Sequence, residues 1–322
     1  MRILVYGAGV IGCELAHELY KGKNDVTILA RGNWKQSIDK NGLVIRHYGQ
    51  LHTTKDPIKT IEELKTDDKY DLIFVVMQYN QTLNVLPQLA KNVSRYIVLV
   101  GNNITPSYCQ EQIRNQSAVE KEIAFGFQGT GGRRENGKVI SMHQIRLGMT
   151  IGGLIGHLAS EFQNNIITAF EKTGYQLTWE QHMEGWLLSH AAHILPTAYI
   201  CYILDCNLKR TSKEQISLVI DAVVEAHKML KEHRYPIRPD GEEEAFEEKR
   251  KKKQRSLYLM VKTPAGKYVI STHCAHAVEE MTALDEKFEE LKRKVSTPMP
   301  AWDKLRNEAM AALDNHVAER CE

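Results

Sequence analysis

The stretch MRILVYGAGVIG (1–12) decides how the chain begins to fold. ILVY (3–6) is an unbroken apolar run, the pattern of a strand covered on both faces of a parallel sheet. Gly7, Gly9 and Gly12 follow, and a helically periodic stretch then runs from about 10 to 22. Strand therefore passes to helix through a turn almost without side chains. The first glycine permits the tight turn, and the third lets the helix pack closely on the strand.

The same alternation continues downstream. VTIL (26–29), LIFVV (72–76) and YIVLV (96–100) read as further strands, with helices near 59–65 and 81–91 between them. IAFGF (123–127), KVISM (138–142) and RLGMTIG (146–152) read as later, partly antiparallel strands joined by the turn-rich GTGGRRENGK (129–138). A helix near 156–172 ends at Gly174. From about 180 the periodicity is almost wholly helical, over 180–204, 212–233, 242–255, 274–294 and 301–318. The fold class is thus α/β: an N-terminal doubly wound sheet of Rossmann type over 1–175, then an all-helical domain over 176–322.

Composition narrows the partners. The charge balance, 42 basic against 40 acidic residues, recommends neither nucleic acid nor an anionic membrane surface. Trp186 to Leu204 holds no charged residue and approaches the length of a membrane span. It also holds His190, His193 and Pro196 and has no comparable companion, so a buried helix is the expectation. EEEAFEEKRKKKQR (242–255) reads as one solvated helix, acidic at its N-terminal end and basic at its C-terminal end in accord with the macrodipole. Cys13, Cys109, Cys201, Cys206, Cys274 and Cys321 form no CxxC pair, and MRILVYGAGVIG does not read as a secretory signal. Reduced thiols in a cytoplasmic protein are the expectation, with Cys13 and Cys201 in the core.

The second glycine of the turn, Gly9, leaves the backbone open to a pyrophosphate, and the helix N-terminus supplies amides and a positive dipole end. Gly7, Ala8, Gly9, Val10, Ile11 and Gly12 are accordingly candidate dinucleotide-binding residues. A ribose with a free 2′-hydroxyl calls for an acid at the end of the second strand. Here Ala30, Arg31, Gly32 and Asn33 follow VTIL, and an arginine without an acid suits a 2′-phosphate. NADP(H) is the expected cofactor.

With this turn, an arginine after the second strand and an all-helical second half, the chain resembles the ketopantoate reductase family. VGNN (100–103) places Asn102 at that family's asparagine, and Gln81 past LIFVV also fits. NGKVISM followed by LGMTIGG resembles the stretch closing the family's first domain. Ser271–Thr272 and TALD (282–285) match its serine pair and final-helix motif. The resemblance implies NADPH delivering hydride to a keto carbon, as in the conversion of ketopantoate to pantoate for pantothenate synthesis. It also implies a helical-domain lysine at the carbonyl oxygen, with a late-helix glutamate and the asparagine holding substrate. Gly7, Gly9, Gly12, Arg31 and Asn102 are present. Gln78 stands where the family has a lysine after LIFVVM, and Leu187 or Leu188 at the catalytic lysine. Ala191 or Ala192 replaces an asparagine one turn on, and Ala283 the glutamate.

Leucine cannot stabilise charge building on a ketone oxygen. His190 and His193, within one turn of the vacant position, are the candidate donors, together with His273. Asn102, Ser271, Thr272 and His273 are candidate substrate contacts, and Gln78 and Asn102 also border the cofactor. Ser271 and Thr272 could equally cap the helix that follows. His190/His193 and His273/His276, each three apart, complete no metal-ligand spacing, so no metal is expected. Lys209 and Lys262 are alternatives for a displaced lysine. The expected function is NADPH-dependent reduction of a small, 2-oxo acid-like carbonyl compound that need not be ketopantoate. The alternative is a non-catalytic NADP(H)-binding sensor or interaction protein. A homodimer is compatible with the helical half.

Overall fold

The computed structural model describes residues 1–142, 147–264 and 266–321, with side chains as far as residue 315. Arg146, assigned to a strand from sequence, and the side chain of Cys321 lie outside these. The chain divides into two compact units, 1–183 and 184–322.

In the first unit β1 (Arg2–Tyr6) leads into α1 (Val10–Lys21), followed by β2 (Asp25–Leu29) and α2 (Gly32–Asn41). β3 (Leu43–His47), β4 (His52–Asp56), β5 (Lys59–Ile61), β6 (Leu72–Val76), α3 (Tyr79–Lys91), β7 (Tyr96–Val100) and α4 (Pro106–Asn115) come next. β8 (Glu122–Gln128), β9 (Gly131–Glu135), β10 (Lys138–Met142), β11 (Leu147–Gly152), α5 (Ser160–Phe170) and β12 (Tyr175–Trp179) complete the unit. Eight strands form one sheet in the order β12-β11-β8-β7-β6-β1-β2-β5, parallel except where β11 meets β8. β6 and β7 are buried at every position, which is why LIFVV and YIVLV carry no polar residue.

Three expectations are corrected. Residues 59–61 are strand, not helix: Thr60 and Ile61 extend the edge beside β2 in parallel register, and edge pairing overrides the weak helical periodicity of IEEL. The first unit does not stop at 175, because β12 pairs along its whole length with β11. The third concerns the charged stretch 242–255, below. A second sheet, β4-β3-β10-β9, has its inner strands β3 and β10 in parallel pairing and was only partly visible in sequence. HTTKD of β4 is too polar to read as a strand, and β9 hides within the turn-rich GGRRE. This sheet packs on α1. A Cβ on Gly132 (φ +143°) would meet the Ile140 carbonyl oxygen at 2.1 Å and Val10 Cγ1 at 3.1 Å.

The second unit is helical throughout its described residues. α6 (Met183–Ile203) enters it, followed by α7 (Lys213–Glu232), α8 (Glu242–Phe246), α9 (Arg250–Lys262), α10 (Thr272–His276), α11 (Val278–Lys292) and α12 (Pro300–Cys321). A π-helical turn, Gly266–Ser271, precedes α10. α7 starts from a capping box in which Ser212 and Gln215 satisfy each other's backbone amides. Residues 242–255 are not one helix. α8 ends at Phe246 and α9 begins anew with RKKK, so its basic residues lie at the N-terminal end, against the macrodipole. Burial of Phe246 and of Leu257 and Val261 on α9 fixes the break. Fully buried Trp302 stacks on Phe288 at 4.4 Å and meets Tyr199 edge-on at 5.5 Å. Asp285 of the TALD motif is buried and accepts from the Tyr199 hydroxyl and, bidentately, from Arg306 at 2.8–3.1 Å. No helix of the described residues is long and apolar enough to cross a membrane.

Candidate functional site

The glycine turn divides its three positions by geometry. Gly7 has φ +125°, and a Cβ there would lie 2.2 Å from the Val76 carbonyl oxygen. A Cβ on Gly12 would lie 2.0 Å from the Gly7 carbonyl oxygen, so the helix seats directly on the turn. Gly9 has ordinary backbone angles and nothing within 4 Å of its would-be Cβ. The chain itself gives no reason for a glycine at position 9; an external group approaching the backbone does. Gly9 caps α1 without a side chain, and the first turn of α1 holds no acid to compete with an anion. Ala8 is buried, while Val10 and Ile11 pack partly buried on the unit's core.

The neighbouring strand ends complete the arrangement. Gly101 (φ +137°) brings the turn after β7 against the Met77 carbonyl, and Asn102 follows it. Gln78 caps α3, its carbonyl accepting from the Gln81 and Thr82 amides, and Gln81 Nε2 donates to Gln78 Oε1 at 3.3 Å. β1, β6 and β7 are adjacent and parallel, so Gly7–Gly12, Gln78 and Asn102 share the carboxyl edge of the sheet. That edge is where open α/β sheets bind ligands. Arg31 is the N-cap residue of α2 and is exposed, with its charge near the Tyr6 hydroxyl, which donates to Gln88 Oε1. Burial pushes the Tyr6 hydroxyl pKa up although Arg31 opposes the shift. Arg31 lines a recess with Gly32, Glu62, Glu63 and Gln88. The two glutamates were not anticipated, because the sequence places them some thirty residues past β2; β5 brings them back beside it.

The helical unit holds the other candidates. Leu187 and Leu188 are only 2% and 1% exposed and Ala191 and Ala192 are buried, so the lysine position is sealed in apolar packing. His190 stacks on Trp186 with centroids 5.1 Å apart. Burial, reinforced by His273, pushes its pKa down to about 4. Burial, then Lys253, His190 and His227, pushes His193 down to about 3. Both are neutral imidazoles at pH 7. Each can offer an N–H to an oxygen, but neither arrives as an imidazolium acid.

His190 and His273 lie within electrostatic reach of each other. His273 Nε2 is 3.4 Å from Glu280 Oε2, and Glu280 is 2% exposed in the first turn of α11. Glu280 escaped sequence reasoning, although it precedes Ala283 by three residues and so shares its helix face. His193 Nδ1 lies 3.8 Å from Glu242 Oε1, which is 3.5 Å from Lys253 Nζ; that ammonium stands 4.1 Å over the Phe246 ring. His227 is wholly buried, edge-on to the same ring, with no hydrogen-bond partner on either ring nitrogen among the described residues.

Ser271 is buried and makes no side-chain cap to α10. Thr272 donates its hydroxyl to the Lys267 carbonyl at 3.0 Å, so that proton is not available to a carboxylate. Lys262 donates to the Lys209 and Thr211 carbonyls, tying down the short 3₁₀ turn at 208–210. Lys262 is thereby committed to a structural link. Among the described residues no group of three or more His, Cys, Asp or Glu is arranged to hold a metal ion.

A Rossmann-type unit with an open glycine turn, followed by a helical unit, defines the class of two-unit dinucleotide-dependent proteins. Residues 3–154, just under half of the chain, match the family described as ketopantoate reductase PanE/ApbA, which the chain resembles. The 2-dehydropantoate 2-reductase of Pyrococcus horikoshii is 26% identical over 190 residues, a stretch covering 58% of this chain and 58% of that relative's length. D-mandelate dehydrogenase, solved with NADH and anilino(oxo)acetate, has TM-score 0.74 at 16% identity over 98% of this chain and 99% of its own. The 2-dehydropantoate 2-reductase of Geobacter metallireducens has TM-score 0.74 at 14% identity over 97% and 100%. At such identities the structural likeness establishes the fold.

Proposed function

We propose that the protein is an NADPH-dependent oxidoreductase that reduces a small, 2-oxo acid-like carbonyl compound other than ketopantoate. The observation that carries the reading is the open backbone at Gly9, on a helix N-terminus free of acidic residues and flanked by Arg31. NADPH supplies the hydride when bound. Gly9 and the α1 amides hold its pyrophosphate, and Arg31 faces the 2′-phosphate. Gln78 and Asn102 border the cofactor, and Asn102 also contacts substrate. The relative solved with NADH and an anilino(oxo)acetate supports a 2-oxo acid as substrate class.

The acid chemistry falls to His273. Glu280 orients its Nε2, leaving Nδ1 to deliver a proton to the developing alkoxide, while neutral His190 offers a hydrogen bond. His273→Ala is expected to lower kcat about 100-fold, and His190→Ala more than tenfold, in steady-state assays with NADPH and a panel of 2-oxo acids, ketones and imines. Unchanged turnover in His273→Ala removes it from the chemistry.

The sealed lysine position favours a second reading, a non-catalytic NADP(H)-binding sensor. Tight NADPH binding with no turnover on any panel member selects it. Cofactor choice is tested separately. Fluorescence titration is expected to give NADPH an affinity at least tenfold above NADH, a preference lost in Arg31→Ala. Equal affinities in the wild type assign the recess to Glu62 and Glu63, whose carboxylates would accept from a free 2′-hydroxyl.

A further inference from the structure

The end of α6 gathers three thiols that the proposed reaction does not use. Its C-terminus closes as a Schellman motif: the Cys206 amide donates to the Cys201 carbonyl at 2.7 Å and the Asp205 amide to Tyr202 at 3.1 Å. This motif brings the side chains at its two outer positions together, and here both are cysteines. Its backbone is held in the left-handed region by two consecutive non-glycine residues, Asp205 and Cys206, each at φ +52°. Such residues carry strain that local packing must sustain. Cys206, Cys274 and Ser271 are near enough to Cys201 to shift its pKa. Cys274 is fixed by the Tyr202 hydroxyl donating to its carbonyl at 3.3 Å. Cys201 and Cys274 are buried, whereas Cys206 is partly exposed, and all three are free thiols.

We propose that Cys201 and Cys206 form a peroxide-responsive disulfide site, with Cys206 as the thiol that meets the oxidant and Cys201 as the one that resolves it. Hydrogen peroxide or an organic hydroperoxide transfers one oxygen to Cys206 Sγ, its O–O bond breaking to give a sulfenic acid and water or an alcohol. Cys201 Sγ then attacks Cys206 Sγ. The S–S bond forms, the S–O bond breaks, and the thiol proton leaves with hydroxide as a second water. Both sulfurs are oxidised as the peroxide oxygen is reduced, and the two thiol hydrogens end in water. A 6→1 backbone hydrogen bond holds the two Cα atoms at a separation a disulfide can span without moving the helix. Cys201 and burial raise the Cys206 pKa and, although Cys206 opposes the shift, Cys274 and burial raise that of Cys201, so the site responds to strong peroxide exposure rather than to trace oxidant. Ser271, next to the Cys201 thiol, places the site beside the segment that carries His273.

The test is peptide mapping of the folded protein after millimolar hydrogen peroxide and alkylation. Trypsin leaves Cys201 and Cys206 on one peptide, between Lys172 and Lys209, and Cys274 on another, between Lys267 and Lys287. The expected product is the first peptide lighter by two hydrogens and unalkylated, reverting with dithiothreitol. Cys206→Ser abolishes it, and Cys274→Ser leaves it intact. Cys206 lies at a partly exposed turn, so that variant tests the site without excavating the core. Three fully alkylatable thiols, a Cys201–Cys274 crosslink, or irreversible oxidation of Cys206 without a crosslink each overturn the proposal.

Discussion

Gly9→Ala is expected to lower dinucleotide affinity at least 100-fold while leaving the melting temperature of the ligand-free protein unchanged. Gly12→Ala is expected to lower both. The contrast follows from what each added methyl group meets. At Gly9 it meets nothing within 4 Å among the described residues and adopts ordinary backbone angles, so its conflict is with a group bound over the turn. At Gly12 it lies 2.0 Å from the Gly7 carbonyl oxygen, and α1 must lift from the strand before anything binds. Overpacking of that kind costs about 1–3 kcal/mol. Fluorescence titration with NADPH and thermal unfolding of each variant separate the two effects. Unchanged affinity in Gly9→Ala would remove the turn from cofactor binding, whatever Gly12→Ala does to stability.

The second large effect is acid sensitivity of the helical unit. His227 is buried without a hydrogen-bond partner, and burial pushes its pKa down to about 4. Unfolded, it binds a proton near pH 6.5; folded, it stays neutral until near pH 4. Between those values the unfolded state holds more protons, so stability falls as pH falls. The contribution is fully present above pH 6.5 and lost progressively below it. Complete loss amounts to about 3 kcal/mol for this residue, and about 2 kcal/mol is gone by pH 5. His190 and His193 act in the same direction. His227→Leu is expected to flatten the dependence, removing several degrees of the melting-temperature drop between pH 7 and pH 5. An identical drop in the variant would show that His227 does not carry it.

The first unit runs the other way. Burial disfavours charge on His17, but Asp56, 2.6 Å from Nδ1, together with Glu14 and Glu18, outweighs it and raises the pKa. Its contribution is therefore full below the ordinary histidine range and lost as pH rises through the raised value.

How much of this was legible depends on what each feature rests on. β1, β6, β7 and the glycine turn were plain because a central parallel strand must be apolar at every position and the turn tolerates no side chain. β4 and β9 were hidden because edge strands of a half-exposed sheet carry polar residues. The break between α8 and α9 was missed because charge patterning describes a helix surface, whereas buried Phe246, Leu257 and Val261 fix where the helices lie. The histidine candidates were legible as positions but not as states, since depressed pKa values arise from burial. Glu280 and Lys253 come to His273 and His193 from other helices, and no spacing within a single element reveals such partners.

The small sheet has a consequence for the energetics of ligand capture. Through Gly132 it abuts Val10, the first residue of α1, so the amides at the start of α1 are braced from behind before any ligand arrives. A loop ordered in advance surrenders little chain freedom on association, and more of the contact energy survives as affinity. β9 and β10 thus act as a splint for the glycine turn, and on the proposed reading loosening them would weaken dinucleotide binding.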